Sequence, residues 1–373
     1  MEEKFSLKDH LFNAESVGQL AAEYAQAVPK FDADRFTQEA LSGFPERELL
    51  ERLDWLADCV EAQLATDFPT MAAQLRDALP PKLDPSKTDD DFGRFIHGVP
   101  GILAVRHGLE DHRDLALDLL HEATQRFSME FYIRPFLNTW PAETLARLNQ
   151  WAVDENYHVR RLVSEGTRPK LPWAKSVSLT PDQTLPLLDK LHADPTRYVT
   201  RSVANHMNDL SKIVPDQTLA TLSIWTSAGK QVAKELDWMQ RHSLRTLIKQ
   251  GHPGAMAALG FGEIAGLTAK VGVDRPTVRI GEAVTIEAEL TAPSPAPILV
   301  DYVLELPKSD GSLAPKVFKL KTANLVANTP LALRKVHKLK KGATTFTLYP
   351  GPARVSLQVN GTIVGSAAFT LVT

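Results

Sequence analysis

Pro141-Ala-Glu-Thr-Leu145, Pro181-Asp-Gln-Thr-Leu185 and Pro215-Asp-Gln-Thr-Leu219 are one phrase written three times, at spacings of 40 and 34 residues. Each opens a run in which apolar residues return every third or fourth position, the period of an amphipathic helix. Proline is tolerated at the first helical position because its missing N–H would have no partner there. Self-similarity at this period predicts stacked helical pairs of the HEAT type, in which each unit buries its apolar face against its neighbours. A second comb comes from the other helix of each pair. His158-Val-Arg-Arg-Leu-Val163, Tyr198-Val-Thr-Arg-Ser-Val203 and Trp238-Met-Gln-Arg-His-Ser243 place Arg161, Arg201 and Arg241 forty residues apart, and Arg126 falls in the same role one unit upstream.

Working outward, the helical period runs through residues 1–265, including one uninterrupted stretch over 217–250. Pro80–Asp91, with three prolines and a run of acids, marks a linker or long loop and a soft internal boundary near 80–91. From Leu267 the period becomes 2, in 282–290, 298–306, 316–322, 344–350, 353–361 and 366–372, with Gly, Pro and Asn between. Six or seven short strands predict an immunoglobulin-like sandwich over 266–373. The expected architecture is therefore an all-α HEAT-like helical-repeat solenoid, residues 1–265, followed by an all-β immunoglobulin-like sandwich, which by itself is as well suited to a structural spacer as to function.

The overall charge of −3 conceals an asymmetry: residues 1–120 carry net −12, 121–265 net +3 and 266–373 net +6. A polyanion is repelled by the first third and attracted by the rest, since each Lys or Arg that reaches a phosphate releases a counterion. The single cysteine, Cys59, excludes an intrachain disulfide, and no Cys/His cluster or HExxH helix is present, so no metal or cofactor is expected. No stretch reaches the roughly 18 to 20 apolar residues of a membrane-spanning helix, and the first residues lack the apolar core of a signal peptide. A cytoplasmic, monomeric protein without membrane contact is the expectation.

Four residues beyond the comb arginines, one helical turn on, stand Glu130, Glu165, Asn205 and Arg245. Two carboxylates at equivalent positions of adjacent repeats project to the same side, and each is followed by an Arg-Pro pair, Arg134-Pro135 and Arg168-Pro169. An ordinary helix ion pair explains each acid taken alone. The stretch Ser164–Ser176, SEGTRPKLPWAKS, adds Lys170 and Trp173 in a proline-rich loop with no evident core to fill, although tryptophan is usually at least partly packed. The next repeat supplies Asn205, His206, Asn208 and Asp209, an unusually polar string for a helix.

SMEFYIRPF, VRRLVSEGTRPKLPWA, RSVANHMNDLSK and HSLRTLIKQGHP resemble the bacterial alkylpurine DNA glycosylases of the AlkC/AlkD superfamily, the AlkC branch most closely, some of whose members add a C-terminal immunoglobulin-like domain. The resemblance covers residues 1–260, with its specific motifs between Ser128 and Pro253. It implies removal of N3- or N7-alkylated bases from double-stranded DNA, 3-methyladenine and 3-methylcytosine above all, without the deep base-flipping pocket of other glycosylases.

The residues are compatible with that chemistry. A base alkylated at N3 is already cationic and leaves without protonation, so a carboxylate beside the developing oxocarbenium-like sugar is the group required. Glu130 and Glu165 are the candidates, Asp209 the third, and Trp173 the aromatic face for a cation–π contact. Arg126, Arg134, Arg161, Arg168, Lys170, Arg201, His206, Asn208, Arg241, Arg245 and Lys249 are the candidate DNA contacts. Lys335, Lys338, Lys340 and Lys341 form a basic, hairpin-like segment that reads either as a further DNA contact or as a charged edge that blocks strand pairing. No lysine stands out as a Schiff-base nucleophile, which predicts a monofunctional enzyme. The alternatives are a non-catalytic HEAT-type scaffold for DNA or protein, and a binder of damaged DNA in which the acids are dispensable.

Overall fold

The computed structural model describes residues 5–89, 91–342 and 347–373. Helices occupy the described chain from Leu7 to Ala258 and strands from Thr268 to Val372, so an all-α region precedes an all-β sandwich as expected. The repeated phrase opens the helices Pro141–Trp151, Pro181–Leu191 and Pro215–Ala228, each followed by a comb helix, Tyr157–Gly166, Arg197–Ser211 and Ala233–Ser243. The threonine of the phrase is buried in all three copies. Its hydroxyl is satisfied locally, Thr144 by the Phe136 carbonyl at 3.1 Å, Thr184 by Pro181 at 3.3 Å and Thr218 by Val214 at 2.9 Å. Successive repeats are tied by an aspartate before each of the first two comb helices: Asp154 meets His121 at 2.8 Å, and Asp194 meets Arg160 at 2.5 Å and caps Thr196.

The uninterrupted helix expected over 217–250 is broken. Gly229 ends the Pro215–Ala228 helix at φ 59°, the left-handed conformation that only glycine adopts cheaply, and a second break separates Ser243 from Arg245. The 80–91 segment carries no helix or strand among its described residues. It is strapped onto the repeats: the Pro80 carbonyl accepts from Arg126, Lys87 from the Tyr157 hydroxyl, Thr88 from the Tyr198 amide and Asp89 from Arg201.

Two compact units result, residues 1–210 with 225–239, and residues 211–224 with 240–373. Among the described residues the sandwich within the second has two sheets. One has the order β1-β3-β6, formed by β1 Thr268–Val273, β3 Ala283–Thr291 and β6 Leu331–Lys338. The other has the order β2-β8-β7-β4-β5, formed by β2 Thr277–Arg279, β4 Ala296–Pro307, β5 Leu313–Leu325, β7 Gly351–Val359 and β8 Thr362–Val372. Among the described strands all pairings are antiparallel except β2 with β8. Val284, Ile286, Tyr302, Leu304, Val355 and Phe369 fill one core cluster, and Leu290, Ile298, Val300 and Leu357 another.

Two strand expectations change. Residues 344–346 of the expected 344–350 strand lie outside the described residues, and 347–350 are not strand. The segment 334–338, expected as part of a hairpin, lies in β6 at the edge of its sheet, where Lys335 pairs opposite Ile286 and so shares the core-facing side of the register. A cation there discourages addition of a further strand.

Candidate active site and nucleic-acid interface

The SEGTRP turn is built around a small residue. Gly166 closes the Tyr157–Gly166 helix against Ile133, where a Cβ would stand 2.5 Å from the Ile133 Cγ2. That close approach lets Arg134 reach across, donating from Nη1 to the carbonyls of Gly166 and Arg168, each at 2.9 Å, and from Nε to that of Lys175. Arg134 is fully buried, and burial, with the like charge of Arg168, pushes its pKa down to about 10. It clamps the loop from inside and is not a phosphate contact, which corrects the expectation.

Around this clamp the acids and guanidiniums alternate. Glu130 accepts from Arg161 and from the Ser128 hydroxyl at 2.7 Å. Arg161 donates in turn to Ser128 at 2.6 Å and lies 3.6 Å from Glu165. Glu165 accepts from Arg168 at 2.6 Å and from the Ser202 hydroxyl at 2.6 Å, and Arg168 meets Asp209 at 2.9 Å. Glu165 and Asp209 are each 5% exposed. Burial alone would raise the Glu165 pKa, but Arg161, Arg168 and Ser202 outweigh it and hold the carboxyl below its usual range. With Arg134 the network has three acids and three guanidiniums, so Glu130, Glu165 and Asp209 each meet fixed protein charge. Ser128 and Ser202 were not singled out from sequence, because lone hydroxyls carry no periodic signal.

Trp173, eight residues beyond Glu165, is 74% exposed and sits at φ 64°. A bulky residue in the left-handed region is an outlier, and an exposed one gains no packing to offset the strain. Leu171, buried two residues before it, anchors the loop.

The expected DNA contacts separate by burial. His206 and Asn208 are 0% and 2% exposed and belong to the interior: His206 bonds the Ser164 carbonyl through Nδ1 at 3.0 Å, and burial pushes its pKa down to about 4. Neither is an accessible phosphate contact. Arg161 and Arg168 serve the carboxylates. Arg126 bonds the Pro80 carbonyl at 2.8 Å and Glu122, and Arg201 meets Asp89 at 3.1 Å, so both face acceptors of the chain itself. Lys170, Arg241, Lys249, Lys338, Lys340 and Lys341 are exposed. In the second unit Arg241, Arg245 and Lys249 line a recess of about 180 Å³ with Lys319 and the buried Asp301.

Residues 268–373 match the family described as the C-terminal Ig-like domain of the uncharacterised protein YhaZ. Over 368 residues the chain is 29% identical to Bacillus subtilis (strain 168) YhaZ, covering 96% of this chain and 98% of that protein. Among solved structures it is similar to the Pseudomonas fluorescens alkylpurine DNA glycosylase AlkC bound to DNA containing an abasic site analog. The two share 32% identity and a TM-score of 0.86, over 99% of this chain and 100% of the other. The chain belongs to the AlkC family. Both parts of this AlkC-family protein, helical repeats and sandwich, are included in that likeness, and the acid–guanidinium network lies in the helical part. Among the described residues no helix is long and apolar enough to cross a membrane.

Proposed function

We propose that this chain is a DNA repair glycosylase that hydrolyses the N-glycosidic bond of cationic N3-alkylated bases in double-stranded DNA and so initiates base excision repair. Its substrates are 3-methyladenine and 3-methylcytosine, with 7-methylguanine a further candidate, and no deep base-flipping pocket is required. The observation that carries this reading is Glu165: a buried carboxylate held ionised by two guanidiniums, at the end of a helix whose following loop carries an exposed, strained tryptophan.

The alkylated base carries its own positive charge, so its departure needs no acid. What needs help is the positive charge left on the sugar, and a carboxylate fixed in a low-dielectric site stabilises it without reorganising solvent. Glu130 and Glu165 fill that role and orient the attacking water, with Asp209 as the third acid. Trp173 offers its face to the cationic base or sugar, a contact worth ~0.5 to 2 kcal/mol. The exposed cations Lys170, Arg241, Lys249, Lys338, Lys340 and Lys341 hold flanking phosphates, and Arg126, Arg201 and Arg245 are further candidate contacts. Arg161 and Arg168 act by positioning the acids. The enzyme is monofunctional, needs no metal or cofactor, and acts as a cytoplasmic monomer.

The ion pairing of every acid in the network also favours a second reading, a DNA-binding scaffold whose carboxylates merely neutralise guanidiniums. Single-turnover release of free base from a duplex bearing one 3-methylcytosine separates the two. Glu165→Gln slows release about 10²- to 10³-fold, leaves duplex affinity within about threefold, and in wild type the product strand stays uncut. Tight binding without release by wild type establishes the scaffold.

A further inference from the structure

Both proposed catalytic acids are placed by one guanidinium. Arg161 uses Nη1 on Ser128 and Glu130 and turns Nη2 toward Glu165 at 3.6 Å, yet its Nε is buried without a hydrogen-bond partner. A buried, unsatisfied donor is costly, so something else must hold the group in this orientation. Its flat face supplies the answer: the Arg161 Cζ lies 4.8 Å from the centroid of the Tyr198 ring. In a desolvated site such a contact attracts the cation and also fixes the plane of the guanidinium, leaving its N–H edge for the two acids.

The ring is itself immobilised. Tyr198 is 5% exposed and is met at steep angles by Phe92 at 5.5 Å, Tyr157 at 6.2 Å and His158 at 5.5 Å. Its amide donates to the Thr88 carbonyl of the strap at 2.9 Å, and the Arg201 Cζ also lies within 5.8 Å of the ring. Burial raises the phenol pKa, so the hydroxyl stays neutral and is no competing counter-charge for Arg161. Without the ring, the guanidinium is free to rotate and pair with one acid at the expense of the other.

We infer that Tyr198 is a positioning residue of this site, its ring face setting the Arg161 guanidinium between Glu130 and Glu165. The inference rests on the glycosylase reading and adds a residue to it. In the same single-turnover assay Tyr198→Phe, which keeps the ring, retains the wild-type rate within about threefold, whereas Tyr198→Leu slows base release about thirtyfold while duplex affinity changes less than about threefold. Because the leucine variant also removes packing, the decisive series places mono-, di- and trifluorophenylalanine at position 198. Shape is nearly constant there while the negative face of the ring is drained, so the rate falls stepwise with unchanged melting temperature. A flat series, or a Tyr198→Phe rate as low as that of Tyr198→Leu, overturns the positioning role while leaving an active wild type to support the glycosylase. Absence of release by wild type from any alkylated duplex overturns the glycosylase reading, and this inference with it.

Discussion

Glu165 in the helical repeats and Asp301 in the sandwich are equally hidden, at 5% and 4% exposure, and their protons behave in opposite ways. Glu165 is flanked by Arg161 and Arg168 within hydrogen-bond or ion-pair distance and is held below the usual carboxylate range. Asp301, at the bulge after Val300 in β4, has only the weaker pull of Lys319 and Lys249 against its burial, and its pKa is pushed up to about 6. Burial is therefore not what makes a carboxylate useful as a fixed negative charge. Contact with a planar, always-charged guanidinium is. The repeats invest two cations, Arg161 and Arg168, in holding Glu165 ionised, whereas in the sandwich Asp301 stands nearer its switching point.

The contrast is broken most severely by removing a cation from the helical side. Arg134→Met leaves the Gly166, Arg168 and Lys175 carbonyls without their donor, and unfolding free energy drops by about 3 to 5 kcal/mol in denaturant titration. The salt dependence of duplex binding by the folded variant is unchanged, whereas loss of a phosphate contact would reduce the log–log slope by about 0.9.

A smaller effect comes from a buried base that stays neutral. The folded pKa of His206 lies below its ordinary value, so between the two the unfolded chain takes up protons that the folded one refuses. Its contribution to stability is complete above about pH 6.5 and is lost as pH falls toward 4, by about 3 kcal/mol in all. His206→Asn, which keeps a donor for the Ser164 carbonyl, flattens the acid side of the stability profile. An identical profile in the variant shows that His206 takes up its proton alike in the folded and unfolded chain.

These residues also mark where the amino-acid sequence stops being informative. Helical pairs, the comb arginines Arg161, Arg201 and Arg241 and the acid Glu165 one turn beyond the first were legible because periodicity is a local property, and the sandwich was legible from its alternation. Arg126 and Glu130, expected in the same pattern, lie in turns between the helices that end at Thr124 and begin at Ile133. The use of each arginine was not. Arg134 and Lys170 look alike as cations beside prolines, yet one is fully buried and the other exposed, because Gly166 brings two helices together at a point no local pattern reports. Polar strings mislead in the same way: Asn208 and His206 looked like the lining of a cleft and lie in the interior. The break at Gly229 was hidden by a period that continues across it, and β6 by cations standing where apolar residues were sought.

The mildest intervention sharpens the comparison from the sandwich side. For an acid whose folded pKa is raised, stability is fully present below the unfolded value near 3.9 and is lost as pH rises through the folded one, about 6 here. At neutral pH the ionised Asp301 therefore works against the fold. Asp301→Asn is nearly isosteric and removes that charge, so it stabilises the protein by about 1 to 2 kcal/mol near pH 7.5, the full linkage value being discounted for partial solvent screening. Near pH 3.5 the gain disappears, because the wild-type carboxyl is then protonated in the fold. The corresponding Glu165→Gln change shows no such gain at neutral pH, since it leaves two buried guanidiniums short of a counter-charge. Thermal melts of the two variants across this range decide the matter: equal responses at 165 and 301 would mean that the guanidiniums do not hold Glu165 ionised, and the distinction between the two regions would fall.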